Sequence, residues 1–333
     1  MLVPFAQWIT RALAASALLS VVAGTALADE LPVIKVGVLK FGTVNWELSS
    51  MQHNGFDEAN GFTLEIVPFA GGDATEIALQ GGAVDVIVSD WLWVSRLRQQ
   101  GTDLAFVPYS SSVGAIMVPG DSAAATLADL RGMKIGVAGG PLDKSWLLLQ
   151  GQARQDDDVD LAAENEIVFG APPLLAEKAK SGELDAVLNY WHYNARLEAE
   201  GFRRLASAED ASFALGARGP VSSIGYVFSE AWADTAPVAG FITASRETKA
   251  LLGESDEEWQ RLADSGAIKD GPEALSLLRD RFREGIPTRV LSEEIDDAGV
   301  IYGILAELGG EKLVGEAREM VPGTYWTGDG ATL

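Results

Sequence analysis

Tryptophans and carboxylates gather where the sequence predicts strands to end. Of nine tryptophans in the chain, Trp46, Trp91, Trp93, Trp146 and Trp191 fall in loops and helix starts that follow short β-branched runs. An indole offers a large apolar face for stacking on flat rings or cations and one N–H donor, which suits capture of a small molecule. Packing into a core is the competing use of the same ring. On a helix starting at Trp91, positions 91 and 93 point to different sides, so at least one of Trp91 and Trp93 serves structure. Asp90, Asp143 and Glu47 lie in the same stretches and outnumber the basic residues there, Lys40 and Lys144, and no arginine joins them. A bare anion such as nitrate or sulfate is therefore not the obvious guest, although backbone amides alone could hold one. Gly71-Gly72-Asp73 and Gly139-Gly140-Pro141 each precede a predicted helix, whose free N–H groups favour an anionic or hydrogen-bond-accepting group. Asp73 with Glu76 reads equally well as a helix cap with its capping box.

Residues for catalysis are sparse. The chain has no cysteine and only two histidines, His53 and His192, which removes disulfides, thiolate chemistry and sulfur-built zinc sites and leaves a multi-histidine metal site barely possible. His192, next to Trp191, could donate a hydrogen bond into a cleft or be incidental, whereas His53 sits mid-helix. Asp156-Asp157-Asp158 with Asp160 lacks the glycine and terminal glutamate of a calcium loop and reads as a solvated turn. No nucleophile elbow, metalloprotease or phosphate-loop motif occurs. No metal or cofactor is expected.

The elements that must position these residues alternate short apolar runs with amphipathic segments, the pattern of βαβ units in an α/β fold. Strands are predicted at 33–39, 63–68, 84–89, 104–108, 134–138, 167–169 and 184–189, and helices at 46–60, 74–80, 92–99, 145–155, 174–180 and 193–200, with more helix after 236. Sliding the chain by 100 positions lays residues 79–101 over 179–201, with six identities in 23 positions: Gly82/Gly182, Asp85/Asp185, Trp91/Trp191, Arg96/Arg196, Leu97/Leu197 and Gly101/Gly201. Lys35, Gly37 and Val38 similarly fall over Lys134, Gly136 and Val137. Two halves thus repeat one supersecondary plan. In open α/β sheets a ligand sits beyond the carboxyl ends of the strands, which selects the loops that carry the tryptophans.

A chain of 333 residues, 47% apolar and 22% charged, is long enough for two globular domains. Its net charge of −23 repels a phosphate backbone, so no nucleic-acid partner is expected. Residues 1–28 read as a secretory signal: Arg11 is the only charge, an apolar run spans 12–23, and Ala26-Leu27-Ala28 offers a cleavage site after Ala28. The run is shorter than the roughly 20 residues that cross a bilayer. Cleavage leaves 24 basic against 48 acidic residues.

Several segments, in order, resemble the periplasmic solute-binding proteins of ABC importers, in the nitrate/sulfonate/taurine and thiamine-precursor group. They are Gly55-Phe56-Asp57-Glu58 leading to Gly61 through Phe69, Ala78 through Asp85, Leu127 through Val137, and Ser181 through Ala186 ahead of Trp191. The likeness spans about Ile34 to Phe241. It implies a two-lobed periplasmic binding protein of type II, each lobe a mostly parallel sheet flanked by helices. A signal at 1–28, one lobe of 29–116 with 222–333, and a second of 117–221 would be joined by crossover strands near 115–118 and 221–228. The resemblance implies a monomer in the periplasm that passes solute to a permease and ATPase, with Asn45, Trp46, Asp90, Gly140, Ser145 and Asn189 at positions that commonly touch ligand. Trp91, Trp146 and Trp191 complete the candidate set. Where the group usually has a proline-rich stretch, this chain has Asp90-Trp91-Leu92-Trp93, and cleft arginines are missing. Acid with tryptophan suits a neutral or cationic nitrogenous solute, such as a flat pyrimidine, better than a sulfonate or nitrate. An exported enzyme and a solute receptor on the same fold are the other readings. The group's pyrimidine-forming relatives rely on histidine and cysteine, and this chain has no cysteine.

Overall fold

The computed structural model describes residues 30–329 and 331, so the predicted signal lies outside the described residues. The first lobe is built from β1 (Val33–Leu39), α1 (Val44–His53), α2 (Phe56–Ala59), β2 (Thr63–Phe69), α3 (Gly72–Gln80), β3 (Val86–Ser89), α4 (Trp91–Gln99) and β4 (Leu104–Ser110). The second contains β5 (Ala115–Pro119), β6 (Lys134–Ala138), α5 (Lys144–Asp157), β7 (Glu166–Gly170), α6 (Pro172–Lys180), β8 (Ala186–Asn189), α7 (Trp191–Ala199), β9 (Phe202–Ser207) and α8 (Ala208–Ala214). The chain then returns through β10 (Ile224–Ser229) and ends in α9 (Glu230–Ala233), α10 (Val238–Glu254), α11 (Asp256–Asp264), α12 (Pro272–Glu284), α13 (Leu291–Gly309) and α14 (Glu311–Val314). No described helix is long and apolar enough to cross a membrane.

The strand orders, β2-β1-β3-β10-β4 and β7-β6-β8-β5-β9, are the same plan executed twice. In each sheet three strands run parallel and the returning strand pairs antiparallel with both its neighbours, so the fold is two-lobed α/β with mixed sheets. The internal repeat has a physical cause. Asp85 accepts the backbone N–H of Lys35 at 2.8 Å and returns its own N–H to the Lys35 carbonyl, and Asp185 does the same with Lys134 at 2.7 Å. Each aspartate thereby sets the register between the first and third strands of its lobe. Gly82 and Gly182 lie just before these clamps at φ of +69° and +75°, a left-handed conformation that side chains disfavour.

Three expectations differ from the structure. The helix predicted over 46–60 breaks into α1 and α2 because Gly55, at φ +67°, turns the chain. Asp73 does not cap α3; Gly71 precedes that helix without a side-chain cap, and the Glu76 carboxylate instead accepts from the Ser89 hydroxyl. The chain also does not cross between lobes along strands. β5 lies wholly in the second sheet and β10 wholly in the first, so the crossings are the connections at 111–114 and 215–223.

Apolar packing continues between the lobes. One cluster joins Ile87, Trp91 and Phe106 of the first lobe to Trp146, Leu149 and Leu188 of the second. The helices after β10 straddle both: α10 packs on α1, α12 on α7, α13 on α5 and α14 on α4. α1 is fixed by a buried ion pair in which Lys249 Nζ lies 2.6 Å from Glu47, whose carboxylate also accepts from Tyr226 and Ser245. Glu47 is thus spent on the core, away from the strand-end loops. Finally, Thr324 and Trp326 exchange backbone hydrogen bonds of 2.8 Å with Phe106 along the free side of β4.

Candidate functional site

A cavity of about 330 Å³ lies where the carboxyl ends of the parallel strands of both lobes face each other. The end of β1 and the turn into α1 supply Leu39, Gly42 and Thr43, and Asp90 follows β3. From the second lobe come Asp143, Lys144 and Ser145 at the start of α5, and Tyr190, Trp191 and His192 at the start of α7. The crossings add Ser112, Gly114 and Ser223. Thr43, Thr75, Ser112, Ser145 and Ser223 line the cavity; the hydroxyls of Thr75, Ser112 and Ser223 already donate to the carbonyls of Gly72, Arg281 and Ser112 and keep only their accepting capacity. The first turns of α1 and α7 carry no side-chain cap, and Asn45, Trp46 and Tyr193 donate their N–H groups to the carbonyls of Gly42, Thr43 and Tyr190 instead.

Charge in the wall is organised around one contact between lobes. Lys144 Nζ lies 2.7 Å from Asp90 Oδ2, while Asp90 Oδ1 accepts the Trp93 N–H at 2.9 Å. Burial would raise the Asp90 carboxyl, but the Lys144 ammonium and the hydrogen bonds outweigh it and hold it below the ordinary range. Burial acts oppositely on Lys144, and Asp90 again prevails, so the ammonium is held above its usual value. Both partners therefore stay charged. Asp143 caps α5 by accepting the Trp146 N–H at 3.0 Å, and burial raises its carboxyl. Burial also drives His192 down to about 3, assisted by Arg196, so its imidazole is neutral at pH 7. Its Nδ1 is buried with no hydrogen-bond partner. The described residues contain no cluster of His, Asp and Glu fit to hold a metal.

The candidate residues divide between wall and support. Asp90, Ser145 and Trp191 line the cavity. Trp46 stands behind it, 5% exposed, its ring edge-on to Trp191 at 6.1 Å and to Trp259 at 5.7 Å. Asn45 turns inward to its own loop, donating to the carbonyls of Leu39 and Gly42 at 2.8 Å. Trp91 is in the core and its Nε1–H donates to Ser222 at 3.0 Å, pinning the second crossing. Trp146 is fully buried. Asn189 is buried too, donating to the Pro172 carbonyl and accepting the Tyr190 N–H. Gly140, at φ +96°, shapes the turn into α5 without lining the cavity. Trp93, by contrast, is buried, with its side chain in the same core cluster as Trp91.

Three groups that the sequence reading placed weakly or not at all do reach the wall: Lys144, Tyr190 and the serines of the crossings. A signal for the last existed in the runs Ser110-Ser111-Ser112 and Ser222-Ser223, which flank the return points of the chain.

No family model matches the sequence, and no curated protein does either. Solved structures do match. The alkanesulfonate-binding protein SsuA from Xanthomonas axonopodis pv. citri, bound to MOPS, superposes with a TM-score of 0.65 at 19% identity, covering 90% of this chain and 99% of that one. The periplasmic aliphatic sulphonate binding protein SsuA from Escherichia coli gives 0.69 at 18% identity over 89% and 92%. A ligand-binding component of an ABC-type import system from Staphylococcus aureus gives 0.63 at 13% identity over 88% and 96%. Likeness at these identities speaks to architecture, and on that ground the chain has the two-lobed α/β fold of the periplasmic binding proteins.

Proposed function

We propose that this protein is the substrate-binding component of an ABC importer, capturing a small organic solute between its lobes by hinge closure and handing it to a permease and ATPase at the inner membrane. The observation that carries the reading is the cavity itself: about 330 Å³, formed by strand-end loops of two lobes and lined by hydroxyls, aromatic rings and one ion pair. Closure on a solute would let part of the binding free energy drive the movement of the lobes. Nothing in the wall pairs a nucleophile with a base, which supports binding without chemistry. On this reading a leader cut after Ala28 directs the mature chain to the periplasm, where it would act as a monomer.

The solute class departs from the neighbours' sulfonates. The wall's single ammonium is already paired, a second carboxylate stands beside it, and no described arginine lines the cavity. A neutral or cationic nitrogenous solute, with a flat ring that can lie against Tyr190 and Trp191, fits that inventory. Native mass spectrometry of protein isolated from its own periplasm tests the role: a retained small molecule, unchanged on incubation, is expected. Turnover of that molecule would mark an enzyme instead.

A further inference from the structure

The two partners of the ion pair across the cavity are held unequally. Asp90 has a short side chain, 19% exposed, and its second oxygen is tied to the Trp93 N–H at the start of α4. Lys144 stands at the first position of α5, where the positive end of the helix dipole disfavours an ammonium. Its side chain is 37% exposed on a flexible four-carbon stem that can swing into water. The carboxylate is therefore fixed and the ammonium exchangeable. Two further observations point to an occupant. His192 lines the cavity with a neutral ring that adds no positive charge to compete with a cation there. Tyr190 and Trp191 present aromatic rings in the same wall, and such faces attract cations.

We propose that the Lys144 ammonium is a placeholder on Asp90, and that the solute carries a protonated nitrogen, as in an amine, amidine or guanidine, that takes its place. This rests on the cavity being the solute site. On binding, a solute N–H bonds Asp90 Oδ2, Lys144 turns out to solvent, and the cation lies beside the rings of Tyr190 and Trp191. An anion has no equivalent exchange. It would have to draw Lys144 away and leave the largely covered Asp90 carboxylate without its cation, a penalty that disfavours it.

Three probes of matched size test the exchange: propylammonium, propionamide and propanesulfonate, titrated into purified protein at pH 7 by calorimetry and tryptophan fluorescence. Lys144→Ala should bind propylammonium about tenfold more tightly than wild type, because the placeholder is gone. Asp90→Asn, which keeps an oxygen for the Trp93 N–H, should lose propylammonium and gain propanesulfonate on the freed Lys144. Tighter propanesulfonate than propylammonium binding by wild type, or no gain in Lys144→Ala, overturns the placeholder and leaves the solute-binding role standing. Absence of binding by all probes to every variant also overturns it. If native mass spectrometry then finds no retained molecule, the solute-binding role falls with it.

Discussion

The starts of α4 and α7 occupy the same place in the repeat and have been put to different uses. Asp90-Trp91-Leu92-Trp93 opens the first, Tyr190-Trp191-His192-Tyr193 the second. Trp91 is 3% exposed, lies against Tyr302 at 6.3 Å and holds the Ser222 carbonyl, so it secures the second crossing. Trp191, 9% exposed, leans on Trp46 and borders the cavity. One position further, Leu92 is buried in the core cluster that holds Trp91, while its counterpart His192 lines the cavity and keeps a buried, unpartnered Nδ1. The repeat preserves where the backbone goes, through the paired clamps of Asp85 and Asp185. It does not preserve what each side chain meets, because Tyr302 of α13 lies against the start of α4 whereas α12 lies along α7.

The sharpest way to break this contrast is Trp91→Ala. Removing a fully packed indole should cost about 4 kcal/mol, read as a fall in Tm on the order of 10 °C by circular dichroism. Trp191→Ala, with one side on the cavity, should cost roughly 1 kcal/mol less. A larger loss at Trp191 would invert the assignment of support and wall.

Next in size is the pH response of His192. Its imidazole stays neutral in the folded protein down to about 3, whereas an unfolded chain takes up that proton near 6.5. Between these values the unfolded state binds more protons, so stability falls as pH drops, with a limiting slope of about 1.4 kcal/mol per unit from this group. His192→Leu, which copies the first lobe, should flatten urea-unfolding stability between pH 6 and 4 by roughly half that slope or more. An unchanged profile would show that the imidazole is not held neutral. Smallest and most symmetrical are Asp85→Ala and Asp185→Ala, each expected to cost about 1 kcal/mol. Unequal losses in urea midpoints would show that the two clamps do not do the same job.

Much of the architecture was legible from local pattern. The strands of both parallel cores and the repeat could be read because β-branched runs and the Asp85/Asp185 clamps are local features. β9 escaped because Phe202-Arg203-Arg204-Leu205 is half-buried and charged, and so lacks the apolar run that marked the other strands. At the site, the tryptophan positions were legible and their orientation was not. Trp46 is covered by Trp259 and Trp91 by Tyr302, residues from helices near the end of the chain whose placement no local spacing reveals. Lys144 could be named as a cation near the strand ends, but its pairing with Asp90 exists only once the two lobes meet.

The strip formed by Thr324 to Trp326 has a consequence for life in a crowded solution. β4 is buried along its whole length, from Leu104 to Ser110, and stands last in its sheet. Bare, such a sticky border would be a template for pairing with other molecules. By bonding both the N–H and the carbonyl of Phe106, the strip occupies part of that border and so disfavours edge-to-edge pairing with another molecule.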